Sequence, residues 1–155
     1  MESLGRAVHS RAEAETVTFS FSPRAENVAL ARLVAGALAE RCGLPTETVE
    51  DVRLVVSEAC TNAVRAHERC ARDEAVSLTC HLDGTFYVEV SDVGCGVDVA
   101  GEAELPPPGT AKGGYGIPIM RRVAQQATFG RNDAGGTTVR LVLSGDAAHH
   151  EGDAA

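Results

Sequence analysis

The chain has no tryptophan and only two tyrosines and four phenylalanines, so aliphatic side chains must fill any core it builds. It has no apolar run near the roughly 20 residues that span a bilayer, and Met1 to Glu15 has no apolar segment of signal-peptide length. Neither a transmembrane helix nor a signal peptide is therefore expected, and the expected location is the cytoplasm. No Cys-x-x-Cys pair occurs, and no histidine stands at zinc-ligand spacing from Cys42, Cys60, Cys70, Cys80 or Cys95. The five cysteines are an odd number and read as buried or unreactive thiols. Basic residues are in deficit: the formal net charge is −8, which repels phosphate backbones and argues against general nucleic-acid binding while leaving a basic protein partner open. There are no internal repeats. No G-x-x-x-x-G-K-[ST] string exists, which excludes a Walker A loop. The H-R-D and D-F-G strings of protein kinases are missing too.

What is present fits one ordinary domain. The 155 residues are 44% hydrophobic and 23% charged, a globular balance too short for two well-buried cores. Residues 1–15 read as a flexible leader, 16–143 as the domain and 144–155 as a disordered tail. From Thr16 to Ser22, Val17, Phe19 and Phe21 alternate with Thr and Ser, the period of a half-buried strand. Arg24 to Arg41 carries Val28, Ala31, Val34, Ala35 and Leu38 at helical spacing and stops at Gly43. Thr46 reads as the N-cap of a second helix running to about His67, with Val49, Val52, Val55, Val56, Ala59 and Ala63 on its apolar face. Glu68 to Glu74 reads as a loop. Ala75–His81 and Thr85–Ser91 read as a hairpin closed by an Asp-Gly turn. A helix over Ile117–Gln126 and strands at Thr128–Arg131 and Thr137–Leu143 follow a proline-rich connection of about 16 residues, longer than most. The expected fold is α+β: a two-layer sandwich of a mainly antiparallel mixed sheet with helices on one face.

Three islands carry the chemistry. Within SEACTN, Glu58 and Asn62 are one helical turn apart and differ by only about 40° in direction, so they point the same way beside the apolar arc. A carboxylate and an amide there need hydrogen bonds or a ligand, although a solvated polar pair has the same spacing. An amide oxygen suits magnesium held with phosphate oxygens, and a carboxylate can act as a general base. In DVGCG, Asp92 follows the end of a strand, and Gly94 and Gly96 let the backbone turn closely. In GGYGI, Gly113, Gly114 and Gly116 open a helix whose free N–H groups can receive phosphate, with Lys112 as a countercharge. Taken singly, the last two motifs are commonly no more than a turn and a helix start.

In this order, SEACTNAV, DVGCGV, GGYGIPIM and GGTTVRLVL resemble the ATP-binding superfamily shared by gyrase B, Hsp90-type chaperones and sensor histidine kinases, the Bergerat-type fold. The closest resemblance is to the small anti-sigma-factor serine kinases of bacterial partner-switching systems. It covers about Thr16 to Leu143. It implies that ATP and Mg²⁺ are the cofactors, with Glu58 as general base and Asn62 holding Mg²⁺. It further implies that Asp92 accepts the adenine amino group, Gly94 and Gly96 shape that end, Gly113, Gly114 and Gly116 form the phosphate loop, and Thr137 supports Asp92. The partners implied are a sigma factor and a small anti-sigma-factor antagonist, and the assembly a homodimer, for which the helix at Arg24–Arg41 and the edge strand at Thr16–Phe21 offer surfaces. Two departures stand out. Close members carry a histidine four residues after the asparagine, whereas here Ala66 is followed by His67, about 100° further round the helix. The segment Val97–Lys112 is also short and proline-rich for the family. An alternative is therefore a nucleotide-binding module that sequesters a partner without phosphoryl transfer. A detached catalytic half of a sensor kinase is the third reading.

Overall fold

In the computed structural model, residues 14–95 and 116–144 are described. The expected leader, the tail and the connection over 97–112 lie outside them, apart from residues 14, 15 and 144.

Strand β1 (Glu15–Phe21) leads into α1 (Ala25–Arg41) and α2 (Thr46–Cys70), then the hairpin β2 (Val76–Leu82) and β3 (Phe86–Ser91). Helix α3 (Gly116–Val123) and the hairpin β4 (Gln126–Arg131) and β5 (Thr137–Ser144) complete the order. The strands lie β1-β2-β3-β5-β4, and all four pairings among the described residues are antiparallel. The helices cover one face, giving the α+β two-layer plan that the alternating and helical periods predict.

Register explains why few aromatics suffice. Phe19 pairs with Leu78, Leu78 with Val90, Val90 with Val139 and Val139 with Phe129, so one apolar row crosses all five strands. Above that row, α2 buries Val52, Val55, Val56, Ala59 and Ala63, and each fully buried valine contributes about 1.5–3 kcal/mol. On α1 the buried positions are Ala31, Ala35, Gly36 and Ala39, small enough for α1 to lie close on α2. Gly36 makes room for Arg53, which pairs with Glu40 at 2.6 Å and with Glu50, tying the two helices. The far sheet face is polar: Thr18 meets Thr79, Ser91 meets Thr138, and His81 stacks on Tyr87 while bonding Glu89.

Several boundaries differ from the sequence expectation. Pro45, not Thr46, is the N-cap of α2, and Thr46 is its first helical residue. The helix continues through Glu68 and Arg69 to Cys70, and stops where Ala71 takes a left-handed conformation (φ 51°). The first hairpin turns over three residues, since Leu82 pairs with Phe86; Gly84 supplies φ +89° and the Asp83 carboxylate accepts the Thr85 N–H. Helix α3 ends at Val123, because the Gln125 N–H already donates to the Val142 carbonyl and the chain has joined the sheet. The cysteines also differ. Cys60 and Cys80 are buried as expected, and burial pushes both thiols up to about 12. Cys42 is exposed, and Cys70 and Cys95 are joined as a disulfide with their Cα atoms 5.8 Å apart. No helix among the described residues is long and apolar enough to cross a membrane.

Candidate functional site

Helix α2 fixes the first pair. Val55, Ala59 and Ala63 are held in the core, which sets the rotation of the helix and leaves Glu58 and Asn62 half-buried along its adjoining edge. The start of α3 is pressed onto that edge. A Cβ built on Gly116 would lie 3.0 Å from Glu58 Oε2, 3.0 Å from Asn62 Nδ2 and 3.3 Å from Asn62 Oδ1. The first and third motifs, 54 residues apart by their numbers 62 and 116, thus meet at a glycine where a side chain would crowd both polar heads. Pro118 falls in the first turn of α3, where its missing N–H costs nothing.

The second motif is held from three sides. Asp92 is 4% exposed, and its Oδ1 accepts the Gly94 N–H (2.9 Å) and the Thr137 N–H (3.2 Å). The Asp92 N–H in turn donates to the Thr137 carbonyl at 3.0 Å. Thr137 therefore meets Asp92 through its backbone, on the first residue of β5. Asn132 completes the frame: its Nδ2 donates to the Asp92 carbonyl (2.8 Å), and its Oδ1 accepts the Gly136 N–H (3.0 Å). Gly136 permits this closeness, because a Cβ there would lie 2.0 Å from the Asp92 carbonyl oxygen.

Against α2, Gly94 is seated so closely that a Cβ would lie 2.7 Å from the Ala66 carbonyl carbon and Cβ. His67, with no exposed surface, accepts the Val93 N–H through Nε2 (3.2 Å), and among the described residues its Nδ1 has no hydrogen-bond partner. The bond to Val93 requires Nε2 to be unprotonated. Ala66 and His67 thus both lie beneath the Asp92 turn, and His67 supports that turn from below.

Asn62, Asp92, Ile117, Phe129 and Thr137 converge on a narrow cleft floored by Ala59, Ala63, Val90 and Val139. Its volume is about 10 Å³, on the order of one water. An acid, an amide and several apolar side chains thus line the same cleft. Of the candidate residues, Asn62, Asp92 and Thr137 line it, Glu58 and Gly116 lie beside Asn62, and Gly94 bonds to Asp92; Gly96, Lys112, Gly113 and Gly114 lie outside the described residues. Sequence reasoning did not identify Asn132, Gly136 and His67 as framework for the Asp92 turn. An asparagine three residues before a glycine pair is a readable turn signal, but the distant partner it serves is not local information.

Among the described residues no cluster of three or more His, Cys, Asp or Glu could cage a metal. Magnesium dehydrates reluctantly and is commonly held by one or two protein ligands together with substrate phosphates. The amide oxygen of half-buried Asn62, beside the start of α3, is a hard oxygen donor of that kind.

The chain belongs to the histidine kinase-like ATPase domain family, whose profile matches residues 21–143. Within it, the chain is 30% identical over 126 residues to the anti-sigma F factor of Geobacillus stearothermophilus, covering 78% of this chain and 86% of that one. The anti-sigma F factor of Halalkalibacterium halodurans is 28% identical over 130 residues, 81% of this chain and 89% of its own. The serine-protein kinase RsbW of Listeria innocua is 31% identical over 86 residues, 55% of each chain.

Proposed function

We propose that this chain is a Mg-ATP-binding anti-sigma factor with serine/threonine kinase activity toward a small anti-sigma-factor antagonist. The observation that carries the reading is the meeting of Gly116 with Glu58 and Asn62. A carboxylate and a side-chain amide both lie against the start of α3, and the amide lines the same cleft as a buried acid.

In this reading Asp92 accepts the adenine amino group with the carboxylate that Gly94 and Thr137 already orient, and the apolar floor excludes water from the purine. Mg²⁺, when bound, neutralises charge on the phosphates, and Asn62 Oδ1 is its protein ligand. Glu58 takes the proton from the substrate serine hydroxyl as that oxygen bonds the γ-phosphorus and ADP leaves. Gly96 helps shape the adenine end, and Lys112, Gly113 and Gly114 complete the phosphate side. The partners are a sigma factor and the antagonist, with no nucleic acid and no membrane, and the setting is cytoplasmic. A homodimer would use the β1 edge and α1, where Leu30 and Leu33 are 50% and 61% exposed.

One observation favours nucleotide-dependent sequestration without transfer: Ala66 and His67 are both spent supporting the Asp92 turn, which leaves no histidine at the family position. Both readings require adenine selection by Asp92. Wild-type protein is expected to bind ATP at least roughly tenfold more tightly than GTP, because a site built to accept an amino group is left unpaired by a carbonyl. Asp92→Asn, its fold checked by circular dichroism, should erase that preference. Equal affinity for the two nucleotides in the wild type would remove the adenine assignment.

A further inference from the structure

Cys70 ends α2, and Cys95 lies one residue beyond Gly94 in the turn that carries Asp92. We propose that Cys70 and Cys95 are a reversible thiol–disulfide pair that sets nucleotide affinity, the oxidised protein being the weak-binding state; this rests on the ATP reading above. Their 5.8 Å Cα separation is within the span a disulfide bridges without backbone movement. The bond joins the two elements that bound the cleft, α2 with Asn62 and the turn with Asp92.

The five cysteines divide by environment. Cys60 and Cys80 are sealed in the core, and Cys42 is exposed without a partner cysteine. Cys95 is exposed and Cys70 half-buried, so oxidants and reductants reach this pair. In a reducing compartment such bonds are transient and redox-sensing rather than structural. With the bond in place the cleft has room for about one water, so a purine enters only when a wall yields. Among the described residues, the turn is otherwise held on its α2 side by the Gly94–Ala66 contact and by the hydrogen bond from Val93 to His67. A covalent tether there lowers the population of the open cleft, and apparent affinity falls with that population.

The chemistry balances with hydrogen peroxide as oxidant. The Cys95 thiolate attacks one peroxide oxygen, giving a sulfenic acid and, after protonation, water; the Cys70 thiol then attacks the sulfenic sulfur and expels a second water. Two thiols and one peroxide become one disulfide and two waters. A dithiol reductant returns two electrons and two protons.

The test uses the full chain, fully reduced and then treated with hydrogen peroxide. Alkylation after denaturation counts five thiols in the reduced protein and is expected to count three after oxidation, all in monomer on a non-reducing gel. Calorimetry should then give roughly tenfold weaker ATP binding for the oxidised form, restored by dithiothreitol. Cys70→Ser and Cys95→Ser should each bind as the reduced wild type does and ignore peroxide. Five thiols persisting after oxidation, equal affinity in the two forms, or a peroxide response in either variant overturns the proposal. Reduced wild type that binds no ATP overturns it through the ATP reading, while the thiol count separately reports whether the bond forms.

Discussion

Glu58→Gln is expected to lower phosphoryl transfer to the cognate antagonist by about 10²–10⁴, the usual contribution of a positioned general base. The amide keeps the shape of the side chain and its packing beside Gly116 and Asn62, but it cannot accept a proton. ATP affinity should therefore stay within about threefold of wild type, the pattern of a group that acts in the transition state. Single-turnover transfer of labelled phosphate, measured beside calorimetry, separates the two quantities. Equal loss of affinity and rate would reassign Glu58 to nucleotide binding. Unchanged transfer would remove the base mechanism and leave sequestration as the function.

The second large effect concerns stability. Gly136→Ala places a methyl group 2.0 Å from the Asp92 carbonyl oxygen and 2.7 Å from Val93 Cα, and both obstacles are backbone. That backbone is pinned by the Asn132 amide on the Asp92 carbonyl and by the Asp92 N–H on the Thr137 carbonyl, while the Thr137 N–H holds the Asp92 carboxylate, so it retreats only by breaking those bonds. A loss of about 3 kcal/mol or more is expected, lowering the melting temperature by roughly 10 °C. Its neighbour is the control. Gly135 has φ +84° and nothing within 4 Å of a built Cβ, so alanine there meets only backbone strain of about 1–2 kcal/mol. Thermal unfolding of the two variants should rank Gly136→Ala well below Gly135→Ala, and the reverse order would show that the Asp92 turn is not held as described.

Much of this architecture is legible in the sequence because its signals are local. Val17, Phe19 and Phe21 alternate, Val52, Val55, Val56 and Ala59 recur at helical spacing, and both patterns place their side chains on the faces that the sheet and α2 bury. The pairing of Glu58 with Asn62 is also local, one turn of one helix. Helix and strand ends are less legible, since tertiary contacts set them: Gln125 is claimed by Val142, and α2 runs past the charged Glu68 and Arg69 until Ala71. The supports of Asp92 are not legible at all. Asn132, Gly136 and His67 come from three distant segments, and nothing in their neighbours announces the carboxylate turn on which they converge. Likewise, Cys70 and Cys95 are 25 residues apart in a five-cysteine chain, a spacing that selects no pairing until the fold brings the end of α2 under the turn.

The edge of α2, the Asp92 turn and the start of α3 make up the proposed Mg-ATP site. Its most direct test is calorimetry of ATP with and without Mg²⁺, on the reduced wild type and on Asn62→Ala. The account predicts binding that strengthens with Mg²⁺ in the wild type and loses that metal dependence, with about tenfold or more of its affinity, in Asn62→Ala. Absence of ATP binding by the wild type, or the same Mg²⁺-dependent binding by both proteins, would contradict it.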